Sequence, residues 1–327
     1  MIVLVTGGTG SVGINIVRVL AEAGHDVLCL SRRASDADAA RDRFLASVAA
    51  KVRMVVGDVG DAGSLDAIWS QHHPTHVVHA AAITPTPDME RTMATTILQA
   101  NIMGTVNVLE AARRGGTRRV AYISSAAIYG EYDEAVAIAE TMPVQPWGWY
   151  GIAKDASEKI CAYHAHLHQT DVVSLRVGWV YGPMERPMAG SRLSMSLAYE
   201  CVRLALANEE IRLAHLDHVR DWIHAEDLGR AILALLEAPT LPNRVYNLAG
   251  DRGYTHRALL EALSQSIPVR YRHVPAAEAN VPVRQTQKRR GPMSIARLLA
   301  ETPYRPRYSL EAGLRHYVEW ARREQQG

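Results

Sequence analysis

The sequence predicts an α/β chain, a doubly wound parallel sheet with a smaller C-terminal lobe. Three observations carry that expectation. Short β-branched runs alternate with longer stretches of helical apolar spacing, the first pair of strands is joined through a glycine-rich turn, and the alternation breaks only after about Tyr181. At 327 residues, 48% hydrophobic and 21% charged, the chain can bury a full core and has a globular balance.

Strands are expected at 2–6, 27–31, 52–56, 76–80, 119–124 and 172–177. Between the first two, Val12 to Ala23 has apolar residues at helical spacing and stops at Gly24, a suitable C-terminal cap. Asp227 to Glu237 and Arg244 to Ala249 read as one more helix and strand of the same sheet. The sheet domain is therefore expected to span 1–180 plus 222–250, with a substrate-binding lobe at 181–221 plus 251–327. Thr84 to Pro87 reads as a loop by its prolines and Gln285 to Pro292 as a polar, basic loop, and both are expected to border the active site.

A net charge of +2 gives no strong pull toward nucleic acid or an acidic membrane, so a small-molecule partner is expected. Cys29, Cys161 and Cys201 lie far apart in apolar segments, which disfavours a disulfide framework and fits a reducing cytoplasm. Met1 reads as the start of the first strand, with no basic leader, and no apolar run reaches the ~20 residues that span a bilayer.

The turn itself reads Thr6-Gly7-Gly8-Thr9-Gly10-Ser11-Val12-Gly13. A strand, a glycine turn and a helix in that order aim backbone N–H groups and a helix dipole at a pyrophosphate, with glycines where side chains would block approach. Gly8, Gly10 and Gly13 fit one spelling of this fingerprint, and Gly7, Gly10 and Gly13 another. A Rossmann sheet holding a nicotinamide dinucleotide follows, with Gly7, Gly10, Ser11, Val12 and Gly13 as its contacts. An acid ~20 residues further on would accept from the adenosine ribose of NAD. That place reads Leu30-Ser31-Arg32-Arg33, with cations and no acid, as a 2′-phosphate requires. NADP(H) is therefore favoured through Ser31 and Arg32, with NAD(H) as the lesser partner; Asp26 precedes the strand and does not supply the acid.

Tyr150 and Lys154 stand four apart, hence on one face of a helix. A nearby ammonium favours tyrosinate and lowers the phenol pKa from ~10 toward a working range for proton transfer. Ser124 and Ser125 end the fifth strand, where a hydroxyl can hydrogen-bond a substrate oxygen as charge develops. Either serine can instead serve only the turn.

With these segments in place, the chain resembles the extended short-chain dehydrogenase/reductases, the NAD-dependent epimerase/dehydratase group, over nearly its whole length. The resemblance runs from the glycine turn through Asp58, His79-Ala80-Ala81-Ala82, Asn101, Ser125, Tyr150 and Lys154. It continues through Leu175 to Pro183, Arg220-Asp221-Trp222-Ile223-His224 and Tyr246-Asn247-Leu248. It implies Ser125 as the carbonyl-binding hydroxyl, Tyr150 as acid/base and Lys154 on the nicotinamide ribose. It also implies Asp58 and Val59 near adenine, Ala80, Ala81, Ala82 and Asn101 along the cofactor, and homodimers built from helices near 95–113 and 150–168.

The departures narrow the chemistry. Sugar-nucleotide 4,6-dehydratases of the group carry an Asp-Glu pair after the active-site hydroxyl, where this chain has Ala126 and Ala127. Nucleotide-sugar epimerases usually place an Asn where Trp179 stands, and an indole looks more like the group's reductases of non-nucleotide carbonyl compounds. Arg220 and Arg290 are expected to grip an anion, a carboxylate or simple phosphate as readily as a diphosphate, unless Arg220 pairs with Asp221 or Asp227. The leading expectation is an NADP(H)-preferring oxidoreductase on a secondary alcohol or carbonyl of a small non-nucleotide substrate, with an anionic one favoured. The alternative is a sugar-nucleotide epimerase or reductase. A cofactor-sensing protein without catalysis is disfavoured, because both Tyr150 and Lys154 remain.

Of His164, His166 and His168 only the first and last share a helix face, and no third ligand is near in sequence, so no metal is expected. His72, His73 and His76 read as loop at a strand border. Met184, Met188 and Met195 belong either to a core or to a substrate site.

Overall fold

A computed structural model describes residues 1–32, 38–187, 195–250, 252–281 and 289–326. Its centre is a parallel sheet of seven strands: β1 Ile2–Thr6, β2 Asp26–Ser31, β3 Val52–Val56, β4 His76–His79, β5 Arg119–Ser125, β6 Val172–Val177 and β7 Val245–Leu248. Their spatial order is β7-β6-β5-β4-β1-β2-β3. The order reverses beside β1, and in a doubly wound sheet that crossing opens a crevice at the carboxyl ends of the strands.

The helices used below are α1 Ser11–Glu22, α2 Ala62–His72, α3 Gly104–Arg114, α4 Gly148–His168, α5 Leu197–Leu206, α6 Ala225–Glu237, α7 His256–Ser264 and α8 Leu310–Gln326. Both faces of the sheet are covered, so the inner strands read as continuous apolar runs. One face packs Val3, Val5, Ile14, Val17, Leu228 and Ile232, and the other packs Leu4, Leu28, Trp69, Leu109, Tyr122 and Cys161. α1 ends at Glu22 with Ala23 as its C-cap residue, and Gly24 follows at φ +87°, where the sequence placed the helix stop.

Where the elements differ from expectation, pairing explains it. β2 begins at Asp26 because that residue pairs with Ile2, and β5 runs on to Ser125 because Ser125 pairs with Val177. His76 belongs to β4 and is buried, not in a loop; His72 closes α2, and His73 is its left-handed cap at φ 47°. Pro87 leaves the Thr84–Pro87 loop and opens a short helix, Pro87–Thr92, because Thr86 Oγ1 accepts from Met89 N and proline suits a first helical position.

A second core gathers Cys201 of α5, Leu213, Leu259 and Leu263 of α7, and Leu314 and Val318 of α8, with Tyr181 and Trp222 at its edge. We propose that the lobes divide along these two cores, as 1–180 plus 222–250 and 181–221 plus 251–327. Met293, Leu298 and Tyr304 nonetheless pack into the sheet core, so the last segment clamps the two together. All three cysteines are free and buried, and burial pushes the Cys29 thiol up to about 12, which leaves it inert. Among the described residues no helix is long and apolar enough to cross a membrane.

One polar network ties α4 to the sheet. The Arg176 guanidinium on β6 donates to both carboxylate oxygens of Glu158 on α4, through Nε at 3.1 Å and Nη2 at 2.8 Å. Its Nη1 donates to Tyr129 Oη and to the Glu140 carbonyl, both at 3.0 Å.

Candidate active site

A cleft of about 800 Å³ opens where β1, β2, β4, β5 and β6 end. Its floor is the glycine turn. Gly7 sits at φ +68°, and a Cβ there would lie 2.7 Å from Ala81 N; a Cβ on Gly13 would lie 2.1 Å from Gly7 O. A Cβ on Gly10 would meet only Gly7 O, at 3.3 Å, so the missing side chain of Gly10 leaves open cleft rather than packed protein. Gly10 at the N-cap makes no side-chain cap bond and no acid stands in the first turn, so Ser11, Val12 and Gly13 bring the N-terminus of α1 to the cleft wall. This cradle of bare backbone fits a dinucleotide pyrophosphate.

Ser31 and Arg32 line the same cleft at the end of β2, the serine buried and the arginine exposed. Arg33 lies outside the described residues. Asp26 opens β2 at the far end and pairs with Lys51 at 3.1 Å. Asp58 lines the cleft with Val59, and one of its oxygens accepts from Gly60 N at 2.8 Å. Ala80, Ala81 and Ala82 form the wall between β4 and the next loop.

Asn101, expected along the cofactor, stands behind that wall. It is buried on a π-helical turn, Gln99–Met103, where its carboxamide pairs with both backbone groups of Ile83 at 2.8 and 3.0 Å. Ile83 lines the cleft and Asn101 does not, so Asn101 braces the wall from behind without lining the cleft.

Tyr150 and Lys154 lie on one face of α4 and both line the cleft. Lys154 is 2% exposed, its Nζ donates to the Ile123 carbonyl at 2.6 Å, and it stands 5.7 Å from the centre of the Tyr150 ring. Burial brings its amine down from 10.5 to about 8. Beneath it His79 is neutral, because burial and then the Lys154 charge hold its imidazole down to about 3. Ser125 Oγ accepts from Ala127 N at 3.1 Å, capping the turn after β5, and keeps its hydroxyl hydrogen for an oxygen in the cleft. Ser124 also reaches the cleft, with its Oγ buried and without a hydrogen-bond partner among the described residues.

At the substrate end Trp179 lines the cleft. Arg220 is 5% exposed and absent from the lining; its guanidinium stacks 5.1 Å from the Trp179 ring centre, donates to the Val219 carbonyl at 2.6 Å and lies 3.9 Å from Glu134. Neither aspartate named for it takes that role. Asp221 accepts a two-pronged bond from Arg290 at 2.9 and 3.0 Å, and Asp227 accepts the backbone N–H groups of Arg307 and Tyr308. Arg290 lines the cleft with much of its fork already committed to Asp221 and to the Gly291 carbonyl. Met184 is core, Met195 lines the cleft, and Met188 lies outside the described residues.

Glu90 was not anticipated. It lines the cleft, and its carboxylate accepts from Trp149 N at 2.9 Å in the first turn of α4, while the Trp149 indole donates to the Glu90 carbonyl at 3.0 Å. No side chain of the local sequence caps α4, so a carboxylate from 59 residues upstream does. Only the absence of a local cap hinted at such a partner.

The family model of the NAD dependent epimerase/dehydratase family matches residues 3–249. The chain belongs to that family. It is an enzyme of the extended short-chain dehydrogenase/reductase type. The epimerase/dehydratase match extends to individual relatives. The chain is 30% identical over 273 residues to a UDP-glucose 4-epimerase of Streptomyces lividans, covering 80% of this chain and 79% of that one. Against a dTDP-glucose 4,6-dehydratase of Streptomyces antibioticus it is 28% identical over 274 residues, 83% of this chain and 76% of the other. In three dimensions it matches the Thermotoga maritima UDP-glucose 4-epimerase with UDP-glucose at a TM-score of 0.83 and 26% identity, over 99% of this chain and 100% of that one. The Thermus thermophilus UDP-glucose 4-epimerase complex with NAD matches at 0.81 and 26%, over 98% and 99%.

Proposed function

We propose that this epimerase/dehydratase-family enzyme interconverts a carbonyl and a secondary alcohol on a small, anionic, non-nucleotide substrate, with NADP(H) as the hydride partner. The observation that carries the reading is that Ser125, Tyr150 and Lys154 line the same cleft as the glycine turn. NADP(H), when bound, supplies or accepts the hydride. Tyr150 gives or takes the hydroxyl proton, Ser125 donates to the substrate oxygen, and the Lys154 ammonium favours the tyrosinate. A cofactor-coupled screen of hydroxy and oxo acids, run in parallel with NADPH and NADH, tests this; turnover of none of them sinks it.

Support for the coenzyme preference is Ser31 and Arg32 at the end of β2, where, among the described residues, no carboxylate awaits the ribose hydroxyls. Ser31→Asp should move the ratio of kcat/KM for NADPH over NADH toward NADH by ~10- to 100-fold, the scale of one charged hydrogen bond gained or one charge repelled. Wild-type enzyme that turns over faster with NADH removes the preference.

Against a nucleotide stand Trp179 in the lining and a second lobe that, among the described residues, brings only Met195, Ser196 and Arg290 to the cleft in addition to the 179–180 strand. A sugar-nucleotide epimerase or reductase is the second reading, favoured by the relatives and by the Arg290 cation in the lining. The two readings part on thermal shift. UDP or dTDP sugars at 100 times their Kd would stabilise the protein by about 2.7 kcal/mol, and we expect no shift. A clear rise with any of them transfers the assignment to the second reading.

A homodimer is proposed through α3 and α4, which leave Tyr163 66% and Leu167 56% exposed, with Met103 and Ile152 also exposed. Light scattering should give twice the 36.0 kDa chain mass; a monomer at micromolar concentration refutes it.

A further inference from the structure

The packing of α3 against α4 brings Glu110 to His164 and His168, the third ligand that chain order concealed. Glu110 Oε1 lies 3.1 Å from His164 Nε2 and 3.8 Å from His168 Nε2, and all three ligand atoms fall within 4.8 Å of one another. Zinc bonds of about 2.0–2.2 Å in a tetrahedron separate ligand atoms by about 3.4 Å. The two spacings to Glu110, 3.1 and 3.8 Å, bracket that edge.

We propose that Glu110, His164 and His168 form a binding site for a divalent ion of the zinc class, clamping the last turn of α4 to α3. Two imidazoles in three ligands select such an ion over Mg²⁺ or Ca²⁺, which take oxygen. His164 Nδ1 lies 3.2 Å from Thr170 Oγ1, the outer hydrogen bond that holds a ligand ring with Nε2 turned inward. Arg113 donates to the other Glu110 oxygen at 3.0 Å and keeps the carboxylate ionised, while Arg113 and Arg114 together oppose the ion's charge and moderate its affinity. The His168 and Glu110 side chains are about a third exposed, at 31% and 32%, which leaves an entry path and a fourth position for water.

A second trio, His224, Glu226 and His316, lacks this chemistry. His224 Nδ1 already accepts from Glu226 N, so its Nε2 carries the ring proton and directs it to His316 Nδ1 at 3.2 Å. Among the described residues one ion site is therefore expected.

The test titrates zinc chloride into chelator-stripped protein that carries no histidine tag, by calorimetry and by metal analysis after dialysis. Expected are one equivalent bound, a rise in Tm with zinc, and affinity weakened at least ~10-fold in both Glu110→Gln and His168→Ala. His168 is a surface residue at the helix end, so its variant retains the fold, checked by circular dichroism. No binding tighter than millimolar, or variants that bind as tightly as the wild type, overturns the site.

Discussion

Tyr150→Phe is expected to lower kcat by ~10²–10⁴-fold while changing cofactor affinity little. The substitution keeps the ring and its packing and removes only the phenol oxygen, the group on this face of α4 to which we assign proton exchange with the substrate. Lys154 then has no tyrosinate to stabilise, although it still donates to the Ile123 carbonyl, so the helix and the cleft wall keep their shape. Steady-state rates with NADPH, together with cofactor titration by fluorescence, separate the two effects. Full turnover in the variant would falsify the proton-transfer role.

Glu158→Ala should destabilise the fold by ~3–5 kcal/mol, because removing one partner of a buried ion pair strands the other's charge. Arg176 would be left buried with bonds only to Tyr129 and a carbonyl. Glu158 lies one helical turn beyond Lys154 on α4. Urea unfolding measures the loss; a change under about 1 kcal/mol would mean that water or a neighbour resolvates Arg176. Glu158→Gln, which keeps an acceptor, should cost less.

The parallel sheet and its helices were legible in the chain because their signals are local: β-branched runs, apolar spacing, and a glycine where the backbone must turn left at Gly24. The cofactor turn and the Tyr150 to Lys154 spacing are equally local, and both meet in one cleft. Pairings made by tertiary packing were not legible. Nothing near Arg220 in sequence signals that Asp221 turns to Arg290, 69 residues on, while Arg220 stacks on Trp179. Asn101 had the right neighbourhood and the wrong surface, since a π-helical turn directs its carboxamide at Ile83. Glu110 lies 54 residues before His164, and only the packing of two helices makes them neighbours.

The bond from Glu90 to Trp149 gives the proposed substrate selection and proton transfer a common mechanical part. The segment from Pro85 to Arg91 forms one bank of the cleft, and through Glu90 it holds the first turn of the helix that carries Tyr150. A change of side chain on that bank therefore pulls on the proton donor's own support. Variants selected there for a new substrate will change kcat and KM together, and recovering speed will require restoring the tie before improving the fit.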